Sequence, residues 1–233
     1  MNTGDVTAEQ RYRDELRKAK RDIRRVVIVM LSLFTLTAAA APPVPDYDTV
    51  HETDGSRVDI VMAQALRGVT DYWRTEGHEV KLQMVSFDAD DPRTPAWCAG
   101  QPQRPSTASV CYPTMTVVWE RGRLGSKLID VFGDLAADIV AAHEVGHVLD
   151  SHPHAVGKRF SAEQFADCMA GVYMRHRGVH PDDEMATWAV LAYMQDRPSS
   201  PRDGDQHGDA YERIDAYRAG FADGPAACAA LRR

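Results

Sequence analysis

The sequence predicts an α+β fold, mostly helical with one small β-sheet, preceded by an N-terminal membrane or signal segment. Three patterns carry that reading. Apolar residues recur at helical spacing over 57–76 and again from Asp134 onward. Short alternating or β-branched runs lie at Val80–Met84 and Val110–Glu120. The uncharged run Val26–Ala41 follows directly on the basic stretch RYRDELRKAKRDIRR at 11–25.

The elements follow in chain order. Residues 1–25 read as a basic cytoplasmic tail. Residues 26–41 (VVIVMLSLFTLTAAAA) form a signal-anchor or signal peptide, stopped by Pro42-Pro43. The run is slightly short against the roughly 20 residues of a full span, although spans range down to about 17. The basic flank keeps its N-terminal end in the cytoplasm and sends the rest outward. Cleavage after the small residues Ala38–Ala41 would give a secreted protein. An uncleaved segment, favoured by the long leader before it, would leave a single-pass protein at the cell membrane with its domain outside. Residues 42–56 read as a linker, and 57–233 as one domain.

Within that domain, Val58, Val61, Ala65, Val69 and Trp73 share a helical face, and Gly77 closes the helix. Val80, Leu82 and Met84 alternate with polar residues as a strand does. Residues 88–109, rich in Asp, Pro, Ser and Thr, read as a long loop. Val110–Glu120 reads as a second strand, with Pro113 pushing it to a sheet edge. Gly122 and Gly125 mark turns. Leu135, Ile139, Ala142, Val145 and Leu149 then form a helical stripe, and further helices are expected at 161–177, 183–196 and 206–220. Trp73, Trp97, Trp119 and Trp188 read as core or loop anchors, and His51, His78, His176 and His180 as solvated surface residues.

Apolar residues at 44%, charged residues at 26% and a net charge of -7 describe an ordinary globular chain without the basic surface that nucleic acid requires. The four cysteines, Cys98, Cys111, Cys168 and Cys228, all follow the export segment. An even number in an exported chain suggests two disulfides; three pairings are possible, and four buried thiols are the alternative.

His143-Glu144-Val145-Gly146-His147 places two histidines four residues apart on a helix that also carries Ala141 and Ala142. Residues at that spacing share a face, so both imidazoles can meet one metal ion, with Glu144 beside them as general base. Small residues around the motif let another segment approach. A catalytic zinc takes three protein ligands and leaves one position open. Glu163 is the best third ligand, and Asp167, one turn later, can accept a hydrogen bond from the far nitrogen of a liganding histidine. His152 and His154 are rivals that follow too closely on the helix to swing back. His207 is a candidate donor to the oxyanion of a tetrahedral intermediate. Its competing role is helix N-terminal architecture, with Asp205 as the cap and Arg213 paired to an acid.

AAHEVGH followed by SAEQFADCMAGVY resembles the bacterial neutral zinc metallopeptidase family, which joins HExxH to a Glu-x-x-Ala-Asp-Cys helix. Asp205-Gln206-His207-Gly208, then Arg213, Phe221 and Ala226-Ala227-Cys228, resemble that family's closing signature. The similarity spans roughly residues 57–231. It implies a zincin-like, gluzincin-type metallopeptidase domain, with His143, His147 and Glu163 on zinc and Glu144 as base. It also implies the pairings Cys168–Cys228 and Cys98–Cys111.

The resulting expectation is a zinc peptidase acting on a peptide or protein that lies beside the strand Val110–Glu120, reaching the membrane through its N-terminal segment. Two alternatives remain: a catalytically degenerate interaction module of the envelope, and a zinc amidase acting on a non-peptide amide. Intact Glu144 argues against the first, because a structural metal site has no use for that carboxylate.

Overall fold

A computed structural model describes residues 50–51, 53–91, 97–98, 100–102, 107–150, 159–180 and 208–231, together with Asp183, Ala189, Val190 and Tyr193. The expected export segment 26–41, His152, His154, Trp188, Asp205, His207 and most of the expected helix 183–196 lie outside the described residues. The chain divides into Met1–Pro45 and Asp46–Arg233. The second unit is α+β and mostly helical. Among the described residues no helix is long and apolar enough to cross a membrane.

Four strands form the main sheet: β1 (Val50–His51), β2 (Gln83–Phe87), β5 (Ala108–Cys111) and β6 (Thr116–Glu120), in the order β1-β2-β6-β5. The first three in that order run parallel, and β5 pairs antiparallel with β6. A two-stranded hairpin, β3 (Trp97–Cys98) with β4 (Gln101–Pro102), lies in the stretch read as loop. The end of the expected linker therefore belongs to the fold, since Val50 and His51 pair with Met84 and Val85.

Two strand readings need correction. Val110–Glu120 is two strands joined by a 3-10 turn at Tyr112–Thr114, with Met115 left-handed at φ 49°. Pro113 sits in that turn, where its fixed φ is useful and its missing N–H harmless. Of these two strands β5 is at the edge and β6 is interior. The run Val80–Met84 enters the ladder only at Gln83, although Val80, Leu82 and Met84 are all buried as the alternation implied.

Helix α1 (Arg57–Thr75) starts where Ser56 accepts from the Asp59 amide. It is laid on the sheet face bearing Met84, Ser86, Val117 and Trp119, all buried. Asp59, 2% exposed, fastens helix to sheet. It accepts from Trp119 Nε1 at 2.9 Å, from Thr53 Oγ1 at 2.7 Å and from the Ser86 hydroxyl. Arg121 Nη1 in turn donates to Ser86 Oγ at 2.8 Å. The opposite face carries a small cluster of Val85, Phe87 and Val118.

Gly122 and Gly125 do not mark turns. They lie in helix α2 (Arg121–Leu124) and a π-helical turn (Gly125–Ile129), which run on to α3 (Asp130–Phe132). Two causes are local. Glu120 caps the start by accepting from the amides of Gly122 and Arg123. A side chain at Gly125 would meet Val58 Cγ2 at 2.8 Å, so the glycine serves close approach to α1.

Helix α4 (Asp134–Leu149) is central. Every residue from Ala136 to His147 is buried, which a stripe of one face did not foretell. It packs against α1, β5 and α5 (Arg159–His176). Helix α6 (Ala210–Asp223) packs on α5 and leads into α7 (Pro225–Ala230). The α5–α6 crossing has no room for side chains at two points: a Cβ at Gly171 would collide with the Tyr217 carbonyl, and one at Gly220 with that of Cys168. The expected helix 206–220 thus runs 210–223, capped by Asp209 rather than Asp205, in a capping box with Glu212.

Both disulfides form. Cys98–Cys111 ties the β3–β4 hairpin to edge strand β5, and Cys168–Cys228 ties α5 to α7. The surface histidines His51, His78, His176 and His180 are exposed, and His176 stacks on Tyr72 at 4.2 Å between centroids.

Candidate metal centre

His143 and His147 stand one turn apart on the buried length of α4, at 3% and 7% exposure. Their Nε2 atoms are 3.0 Å apart. Glu163, in the first half of α5, brings Oε2 to 3.3 Å from His143 Nε2 and 3.5 Å from His147 Nε2. The approach of α5 depends on Gly146, where a Cβ would fall 2.8 Å from Ala166 Cα and 3.0 Å from its carbonyl oxygen. The small residue in the motif therefore has a concrete use: it admits the helix that carries the carboxylate.

These three atoms make a triangle with edges of 3.0, 3.3 and 3.5 Å. Zinc bonds to nitrogen and oxygen of about 2.0–2.1 Å at tetrahedral angles require ligand–ligand edges of roughly 3.3 Å. Two imidazoles and a carboxylate are also the donor types that zinc takes. The residues present fit the ion in both chemistry and spacing.

The electrostatics concentrate negative charge around the pair. Burial alone would lower the His143 pKa, but the carboxylates of Asp167 and Glu163 outweigh it and raise the value to about 9. Burial alone would raise the Glu163 pKa, but the two histidines hold it well below the usual carboxylate range. Asp167 is likewise penalised by burial yet lowered by Arg213 and His143. The metal-free pocket thus holds a proton on His143 that a cation would displace.

Asp167 is fully buried and sits behind His143. Its Oδ1 lies 2.7 Å from His143 Nδ1, which leaves Nε2 for the ligand triangle. Glu144 is 3% exposed beside the two histidines.

Two aromatic residues border the site that the sequence reading did not single out. The Tyr193 ring lies edge-on to His143 at 5.4 Å between centroids. Burial and the Glu144 carboxylate push its phenol well above the ordinary range, so it is a neutral O–H. Tyr112, 38% exposed in the turn after β5, lies edge-on to His147 at 6.4 Å. Neither belongs to a short motif; only the fold brings them here. His207 lies outside the described residues, while its neighbour Gly208 is buried just before α6.

No protein-family model, curated protein or solved structure matches the chain. The resemblance to the neutral zinc metallopeptidases rests on its motifs alone.

Proposed function

We propose that the chain is a zinc-dependent peptidase of the gluzincin type, belonging to the bacterial neutral zinc metallopeptidases. The observation that carries the reading is the triangle of His143 Nε2, His147 Nε2 and Glu163 Oε2, whose edges match a tetrahedral zinc site, with Glu144 adjacent.

Zinc, when bound, supplies a Lewis acid that polarises a carbonyl and makes water nucleophilic near neutral pH. The chain's own residues do the rest. Glu144 takes the proton of the attacking water and delivers it to the leaving amine. Asp167 holds the His143 ring by its Nδ1–H. The substrate lies extended along β5, because that strand is the edge of the sheet nearest α4 and packs against it. Ala108–Cys111 thus replaces the longer Val110–Glu120 as the expected docking strand. Tyr112 at its end forms an aromatic wall beside His147.

The domain works outside the cytoplasm, held by or released from the N-terminal segment. The two disulfides support that location, since such bridges persist in oxidising compartments.

Bound zinc per chain, measured on the full protein, tests the centre. We expect close to one equivalent in the wild type, with sharp losses in His147→Ala and Glu163→Ala. Glu144→Gln should keep its zinc and lose cleavage of a peptide library by about 10²–10⁴-fold. A Glu144→Gln protein that cleaves as fast as wild type would remove the assigned base. Wild-type protein that hydrolyses cell-wall amides but no peptide would shift the reading to the amidase.

A further inference from the structure

Behind His143 the polar contacts continue into a third helix. Arg213 on α6, 2% exposed, meets Asp167 side-on. Its Nε donates to Oδ2 at 2.8 Å and its Nη2 to Oδ1 at 2.9 Å. Oδ1 also receives the Nδ1 side of His143 at 2.7 Å. One side chain from each of α4, α5 and α6 thus makes a continuous line, and its inner end is the nitrogen pair of a ligand histidine.

We propose that Arg213 is a positioning residue for the metal centre, setting the ring plane and tautomer of His143 through Asp167. This rests on the zinc reading and deepens it. Donor count and geometry fix the roles of the three side chains. A guanidinium only donates, and its planar fork matches the two oxygens of a carboxylate. Bound this way, Asp167 cannot rotate about its last torsion, and both oxygens act as acceptors. The contact at Nδ1 is then a donation by His143, which makes Nε2, facing His147 and Glu163, the nitrogen that binds a cation once the cation displaces its proton. Free rotation of Asp167 would allow the ring to swing or adopt the other tautomer, with hydrogen on Nε2 and no ligand.

The surroundings hold the fork still. Arg213 Cζ stands 5.4 Å from the Tyr193 ring centroid, and the same ring borders His143. The Cys168–Cys228 bridge joins the residue next to Asp167 to the helix that follows α6. A purely architectural role, pinning α6 to α5, would be met by any buried ion pair. A positioning role depends on the fork.

The test uses the full-length protein, with zinc affinity from chelator competition and the visible spectrum of the Co²⁺ form, for wild type, Arg213→Gln and Arg213→Lys. Far-ultraviolet circular dichroism of each variant reports the fold. Arg213→Gln should lose about 10–100-fold in zinc affinity and show an altered Co²⁺ band. Arg213→Lys should recover part of that loss, because an ammonium keeps the charge but cannot hold both oxygens. A folded Arg213→Gln protein with wild-type zinc affinity and an unchanged Co²⁺ spectrum overturns the proposal. Should the glutamine variant not fold, the lysine variant decides. Wild-type affinity and spectrum there overturn the proposal, and weaker binding with a shifted band supports it. Wild-type protein that binds neither metal overturns the zinc reading and this inference together. Metal binding that ignores Arg213 overturns the inference alone.

Discussion

Gly146 lies so close to Ala166 that a single added carbon would sit 2.8 Å from the neighbouring backbone. This contact sets the distance between the helix of the two histidines and the helix of Glu163. In an open helix Gly→Ala is stabilising by roughly 1 kcal/mol. Here the added methyl group meets backbone rather than a flexible side-chain end, and overpacking of that kind costs about 1–3 kcal/mol. Gly146→Ala should therefore be destabilising in urea unfolding, and should weaken zinc binding by moving Glu163 away from the histidines. A more stable variant with unchanged zinc affinity would show that the helices separate freely.

The buried carboxylate of Asp59 has a separate, structural part. It accepts from Trp119, Thr53 and Ser86, with the Arg121 guanidinium 3.9 Å away. Asp59→Ala removes the acceptor of a buried indole N–H and one of the two carboxylates near the 9%-exposed Arg121. We expect a loss of about 3–5 kcal/mol in denaturant unfolding, with the zinc site intact in whatever fraction stays folded. A loss below about 1 kcal/mol would mean water replaces the carboxylate without strain.

The two disulfides should differ in worth. Their sequence separations are 60 for Cys168–Cys228 and 13 for Cys98–Cys111. Loop-closure entropy puts them at about 4 and 3 kcal/mol respectively. Replacing Cys168 and Cys228 together by Ala should lower the thermal midpoint more than replacing Cys98 and Cys111. Equal shifts would point to residual structure in the unfolded chain rather than loop length.

The pH dependence of the metal-free protein follows from His143. Its pKa rises from 6.5 to about 9 on folding. A raised value means the folded state binds the proton more tightly. The stabilisation is complete below pH 6.5 and disappears as pH climbs through about 9. Zinc competes with that same proton, so its added stabilisation should grow with pH over the same interval. Thermal scans of metal-free and zinc-loaded protein between these limits should diverge, the first falling and the gap widening. Parallel curves would show that zinc does not displace the His143 proton.

Much of this architecture was legible in the sequence, for physical reasons that differ by element. The helix over 57–75 announces itself because one face must be apolar at a 3.6-residue period; the one over 134–149 shows the same stripe, although its burial extends all round. The proposed ligands His143 and His147 were nameable because their four-residue spacing puts them on one helix face, and Glu163 because it shares a face with Asp167 on the following helix. The helical stretch 121–132 was hidden by Gly122 and Gly125; Gly125 serves an approach to Val58, far earlier in the chain, while Gly122 lies against the Glu120 carboxylate that caps the helix. The hairpin in 108–120 was hidden by an unbroken β-branched run, because both faces of β6 are buried and its residues do not alternate. That Arg213 pairs with an acid was legible in the sequence, but the choice of Asp167 as its partner was not, and Tyr193 lies beyond local reasoning altogether. The partner depends on how α6 packs on α5, and no periodicity encodes that packing.

The connectivity of the two bridges bears on how the chain matures. Each joins cysteines that are consecutive in sequence, Cys98 with Cys111 and Cys168 with Cys228, although three pairings are open to four cysteines. A chain that meets an oxidant in N-to-C order offers its first two thiols to each other before the third has emerged. On the proposed export route, first-come oxidation would give the native set directly, with no shuffling step to undo a premature bond.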